Sequence, residues 1–350
     1  MKTNTLATFV SRVSVVAIAA ALSACGGGGG GGTTSPNNPT PPVSQTCSNG
    51  ATDFPACTVM PANLQTSVPT PTYATNSVQL AAFTQINAIR QSLGLGLLAQ
   101  NAFLDLAAQN HANYIAVNIA ANPSVWGHVE TSSLPGFTGT DPTARAQYAG
   151  YGSGSAEVVG GTATGGFFST AIDELLDTVY HRGILLNQCF RDIGIGYSNQ
   201  STVQPFIVDI SQKTTCQTNA SDFVMNFPLN GQTGVQTTMS PETPNPIANM
   251  PVDQFGYPDF AHNTSYPISI SSADGTTLTV TSIAVTPSGS TTPVSLRTIT
   301  NANDINGGIG SNNVDFIGTT PFAAATTYNV AFVGTVNGKT ITRNFSFTTK

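Results

Sequence analysis

The chain has four histidines, the side chains best suited to proton transfer or metal ligation near neutral pH, and their surroundings separate them. His128 follows Trp126-Gly127 in a loop-like stretch outside any apolar periodicity, where a role inside a core is least natural. His181 stands at the end of an apolar helical stripe, where a cation would also favour the helix C-terminal dipole. His111 lies on an apolar stripe and reads as a packed core polar group, and His262 falls in a loop near the C-terminal half. Glu157 stands in a Gly/Ser-rich run with hardly another charge nearby, so a solvated surface acid competes with a functional one. Arg145 and Arg182 read as structural partners for acids. Two imidazoles with one or two carboxylates can hold zinc in a site with an open position. The same groups without metal can do acid–base work.

Several familiar chemistries are excluded by context. Gly94-Leu95-Gly96-Leu97-Leu98-Ala99 matches the dinucleotide fingerprint loosely, but it follows a helix where a strand is required. His128-Val129-Glu130 begins a zinc deaminase signature that no Pro-Cys-x-x-Cys completes. Neither a G-x-S-x-G elbow nor H-E-x-x-H occurs, and no side chain stands out as a nucleophile. With 11 Lys+Arg and a net charge of −6, there is no basic footprint for nucleic acid.

The N-terminus reads as an export signal. Lys2 and Arg12 precede an apolar stretch, Val13 to Leu22, which is too short to span a bilayer. It runs into Leu22-Ser23-Ala24-Cys25, which resembles the lipobox of bacterial lipoproteins and implies cleavage after residue 24 and lipidation of Cys25. Residues 25–46 are then a Gly/Pro-rich tether on which no core can be built. That resemblance, with Gly26 after the cysteine, implies an extracytoplasmic protein anchored through lipid to the outer membrane or cell surface. Four cysteines remain, an even set that reads as disulfides in an exported chain. Cys47 and Cys57 would clip a linker over 47–76. Cys189 and Cys216 would meet at the open end of a hairpin.

The elements that must position these groups follow from periodicity. Ala82, Ile86, Ile89 and Leu93 predict a helix stopped at Gly94, and Leu104, Ala108, His111 and Ile115 a second, opened near Asn101. Phe168, Ala171, Ile172, Leu175, Leu176 and Val179 predict a third. Ile193, Ile195 and Tyr197 alternate, as do Phe206, Val208 and Ile210, predicting an antiparallel hairpin. Helices on an antiparallel sheet make an α+β domain over 77–218.

In this order, Ile86-Asn87-Ala88-Ile89-Arg90, Gln109-Asn110-His111-Ala112, Gly127-His128, Arg145 with Gly150-Tyr151, Glu157, Tyr180-His181-Arg182 and Ile193-Gly194-Ile195-Gly196 resemble the CAP superfamily of cysteine-rich secretory, antigen 5 and pathogenesis-related proteins. The resemblance implies an α-β-α sandwich whose cleft is lined by two histidines and two acids. It carries those roles onto His128, Glu157 and His181, with Glu130 favoured over Asp141 as the second acid. It assigns no cleft role to His111. Any bound metal, zinc or another divalent ion, would take His128 and His181. The last strand lacks the Gln and Trp of many eukaryotic members, so the resemblance does not carry over their sterol and lipid chemistry.

Residues 222–350 carry no helical periodicity. Asn337-Gly338 between alternating runs predicts a type I′ hairpin that sets Tyr328 opposite Phe347 and Val330 opposite Phe345. The expectation is an all-β, Ig-like sandwich. The whole then reads as an envelope-anchored protein whose His/Glu cleft takes a small ligand, a lipid, an envelope component or a divalent metal. An extracytoplasmic hydrolase and an adhesion protein led by the β domain are the alternatives.

Overall fold

A computed structural model of the chain describes residues 62–163, 168–213 and 215–350. The export signal, Cys25, the tether and the Cys47–Cys57 pair lie outside them.

The first helix, α1 (Val78–Ser92), starts where the Ser77 hydroxyl accepts the Leu80 N–H and stops before Gly94, which takes φ 74°. A two-residue strand, β1 (Ala99–Gln100), leads into α2 (Ala102–Asn118), capped by the Asn101 side chain on the Phe103 N–H. After α3 (Pro142–Tyr148) come β2 (Ala156–Ala163), α4 (Phe168–Leu176), α5 (Tyr180–Leu185), β3 (Asp192–Tyr197) and β4 (Val203–Ser211). The strands make one sheet in the order β1-β3-β4-β2, with β1 parallel to β3 and the other pairs antiparallel.

Strand period two divides the side chains of this sheet between its faces. Val158, Ile193, Ile195, Phe206, Val208 and Ile210 share a core with Ala82, Phe83 and Ile86 of α1 and Ile172 and Leu175 of α4. Val159 and Ile207 turn to the opposite face and pack on Ala108, Ala112 and Ile115 of α2. Helices therefore cover both faces. The contact with α2 explains the Gly-Ile-Gly motif. A Cβ on Gly194 would come within 2.1 Å of the Leu104 carbonyl carbon, and one on Gly196 within 2.2 Å of that of Ala108. Only glycine at both positions lets the helix backbone rest directly on β3. Asp105 and Gln109, on that helix, then accept the N–H groups of Ile195 and Tyr197 at 2.9 and 3.2 Å.

Residues 156–163, a Gly/Ser-rich run to which the sequence assigns no element, form a full strand paired with β4. A Cβ on Gly161 would meet the Trp126 ring at 2.5 Å, so that strand needs glycine there. One expectation needs correction: the third helical stripe is not continuous. It breaks at 177–179, so His181 lies in the first turn of α5 and not at a helix C-terminus. The Cys189–Cys216 disulfide closes the β3–β4 hairpin at the expected end.

The C-terminal part is all-β apart from a four-residue helical turn, Phe260–Asn263. Its strands are β5 (Val224–Phe227), β6 (Gln232–Val235), β7 (Ile268–Ser272), β8 (Leu278–Pro287), β9 (Leu296–Thr300), β10 (Asn313–Gly318), β11 (Thr327–Val336) and β12 (Lys339–Thr349). They form two four-stranded sheets, β5-β7-β10-β9 and β6-β12-β11-β8. Phe316 of one meets Phe332 of the other across the shared core. The β11–β12 register sets Tyr328 against Phe347 and Val330 against Phe345. Its turn has positive φ at both Asn337 (49°) and Gly338 (81°), as a type I′ turn demands.

Candidate functional site

The α2 face of the first sheet is where charge collects. Period two puts Glu157 of β2 on that face, directly opposite Asp209 of β4, and α2 lays His111 above them. All three are buried. The short α3, opened by Asp141 capping the Ala144 N–H, directs Arg145 into the same layer. Arg145 Nη2 donates to both Glu157 oxygens at 2.8 and 2.7 Å, and Nη1 donates to the His128 carbonyl at 3.0 Å. The His128 ring meets Glu157 Oε1 through Nδ1 at 2.9 Å.

His111 joins the two acids from the other side. Its Nδ1 lies 3.0 Å from Glu130 Oε1, and its Nε2 lies 2.8 Å from the Gly127 carbonyl and 3.8 Å from Glu157 Oε1. Glu130 also accepts the Thr138 and Gly139 N–H groups. Burial pushes its carboxyl up, but His111, these amides and Arg145 outweigh that and leave it below the ordinary carboxylate range. The balance at Glu157 is the same: burial raises it, while His128, His111 and Arg145 together bring it below its usual value. Asp209 goes the other way. Burial and then the neighbouring Glu157 charge push it well above the ordinary range, and its Oδ2 has no hydrogen-bond partner. The two carboxyls of the pair are thus pushed apart, Glu157 below and Asp209 above the ordinary range, the direction expected of two acids sharing a buried space.

The structure therefore brings together His128, Glu130 and Glu157, with Asp141 capping a helix nearby. His181 keeps different company. Its Nδ1 pairs with Glu242 Oε1 at 2.9 Å, and the same carboxylate accepts the N–H groups of Val179, Tyr180 and His181. Glu242, from the segment after β6, so serves as the cap that α5 lacks locally. No ion pair links His181 to Glu130 or Glu157 among the described residues. Nor is any group of three or more His, Cys, Asp and Glu side chains there placed to hold a metal ion. Arg145 already occupies both Glu157 oxygens, so the side chains around His128 do not fit a zinc site.

Two participants are not singled out from sequence. His111, read there as a packed core polar group, is buried and finds its partners in Glu130 and the Gly127 carbonyl. Asp209 sits at an inward position of a strand, an unusual place for an acid. Glu242 had no local signal at all.

The family model for the cysteine-rich secretory protein family (CAP) matches residues 83–209. No curated protein matches the chain. Among solved structures, an outer surface protein of Borrelia burgdorferi aligns at 17% identity and TM-score 0.31, over 41% of this chain and 96% of its own. An extracellular protein containing an SCP domain from Bacillus anthracis aligns at 19% identity and TM-score 0.31, over 39% of this chain and 41% of its own.

Proposed function

We propose that the chain, whose residues 83–209 match the CAP family model, is an exported, lipid-anchored CAP-domain protein that binds a ligand at His128. One observation carries this reading. His128 is the member of the buried network that reaches solvent, with 41% of its side chain exposed, while its Nδ1 is fixed by a wholly buried Glu157. A ring that donates through Nδ1 presents Nε2 as an acceptor. Exposed Trp126 and Val129 flank it in sequence, which suits a lipid or envelope component with an apolar body and a polar donor. Export is supported by the lipobox-like Leu22-Ser23-Ala24-Cys25 and by a disulfide of the kind kept in oxidising compartments. Native mass spectrometry of the full chain purified from membranes tests the site. The wild type should carry a co-purifying small molecule that His128→Ala loses; retention by the variant defeats the reading.

A hydrolase is the second reading, favoured by the same pair. An imidazole oriented by a carboxylate and free at Nε2 is the arrangement of a general base. Release of peptide or envelope fragments by the wild type, abolished in Glu157→Gln, would select it. The two-sheet C-terminal part is read as an Ig-like module, supported by its paired four-stranded sheets. An adhesive role for it predicts cell or matrix binding that survives His128→Ala.

A further inference from the structure

A cavity lies away from His128, between α5 with the segment that follows it and the sheet formed by β5, β7 and β10. Its volume is about 490 Å³, within the range of sites that enclose a small ligand. Phe190, Met225, Phe227 and Ile309 give it apolar walls, while Asp274, Asp315, Asn306, Asn312, Asn313 and Ser271 supply polar groups.

Among the described residues Arg182 is the one cation in the lining, and it is largely committed. It donates to the carbonyls of Leu176 and Pro267 and to the Ser269 hydroxyl, and its guanidinium stacks on Phe227 and Tyr266 at 4.8 and 4.9 Å. Its Nη2 is buried and has no hydrogen-bond partner, a costly condition for a charged donor. The Ser269 hydroxyl in turn donates a hydrogen bond to Asp315, a buried carboxylate in the same lining. Burial pushes that carboxyl up to about 6, leaving it an acceptor at neutral pH. The lining residues thus include an arginine with an unpartnered donor and an acid with an acceptor to offer.

The chemistry of the lining discriminates among ligands. An anion would meet two acids for one occupied arginine. An amine would satisfy the acids and leave Arg182 with nothing. A hydrocarbon would bury every polar group unpaired. A hydroxyl accepts from the guanidinium and donates to a carboxylate at once, and several hydroxyls on a ring with apolar faces match the amides and the aromatic walls together. The geometry points to this junction cavity as a binding site for a neutral saccharide unit.

The inference does not depend on the reading of His128, and the test separates them. Full chain in detergent is titrated calorimetrically, and by thermal shift, with glucose, galactose, N-acetylglucosamine, maltose and chitobiose, and with glucose 6-phosphate as the anionic counterpart. At least one neutral sugar should bind at a single site and raise the melting temperature. The phosphate should bind more weakly. Asp274→Ala, at an exposed rim position, should weaken the bound sugar about tenfold, the loss expected for a hydrogen bond to a charged acceptor. Asn313→Phe should block the cavity, and His128→Ala should leave sugar binding intact. If no neutral sugar binds at millimolar concentration, or the phosphate binds better, the proposal is overturned. It is equally overturned if sugar binding persists in the folded Asn313→Phe protein.

Discussion

Replacing Arg145 by Met tests whether the His111–Glu130–Glu157–His128 layer is held together by one guanidinium. The arginine and Glu157 side chains are both fully buried and joined by two bonds of 2.7–2.8 Å. Removing one partner of such a pair strands the other charge, at a cost of about 3–5 kcal/mol. In urea this is a midpoint drop of more than about 1 M, read by circular dichroism and by the emission of Trp126, which lies on β2 at Gly161. The pH dependence carries the sharper signature. In the wild type the Glu157 carboxyl is depressed, so its contribution is present above the unfolded value and is lost as pH falls through the folded one. In Arg145→Met, burial is opposed only by the two histidines, and the carboxyl moves up. Protonating Glu157 then relieves the variant, and the stability gap to wild type should narrow from about pH 8 to about pH 5. Arg145→Lys, which keeps the charge but not the fork, should fall between the two. A loss below about 1 kcal/mol at neutral pH, or a gap that widens on acidification, would refute the assignment.

Three further outcomes are expected. Cys189→Ser/Cys216→Ser removes a link across a sequence separation of 27 and should cost about 3 kcal/mol in denaturant unfolding, while peptide mapping of the oxidised wild type should recover that pair. Glu242→Gln should cost about 1–2 kcal/mol through the weakened cap on α5 and shift the His181 ring resonances, leaving those of His128 in place. Cys25→Ser should abolish metabolic lipid labelling; unchanged labelling would remove the anchor from the reading.

Local grammar made much of the chain legible from its sequence. The cap at Asn101, the stop at Gly94 and the Asn337-Gly338 turn are decided by backbone preferences within a few residues. Strand alternation likewise placed the Tyr328–Phe347 and Val330–Phe345 pairs and the Cys189–Cys216 closure, because a hairpin's register follows from its turn. The strand at 156–163 is hidden in the sequence because Gly160 and Gly161 interrupt its apolar pattern, and the reason for glycine at 161 is the Trp126 ring packed against it.

The site itself divides along the same line. Sequence could nominate His128, Glu130, Glu157 and His181, since each residue's chemistry is its own. Whether an acid is ionised, or a histidine packed or functional, depends on what other elements bring against it. Glu157 and Asp209 sit opposite each other on adjacent strands, yet Arg145 and the histidines draw the first below the ordinary carboxylate range while burial pushes the second above it. His111 owes its place to α2 resting on Gly194 and Gly196. His181 is claimed by Glu242, sixty-one residues downstream. Electrostatic and packing energies depend on distance in space, which a chain of amino acids acquires only when its sheets and helices close on one another.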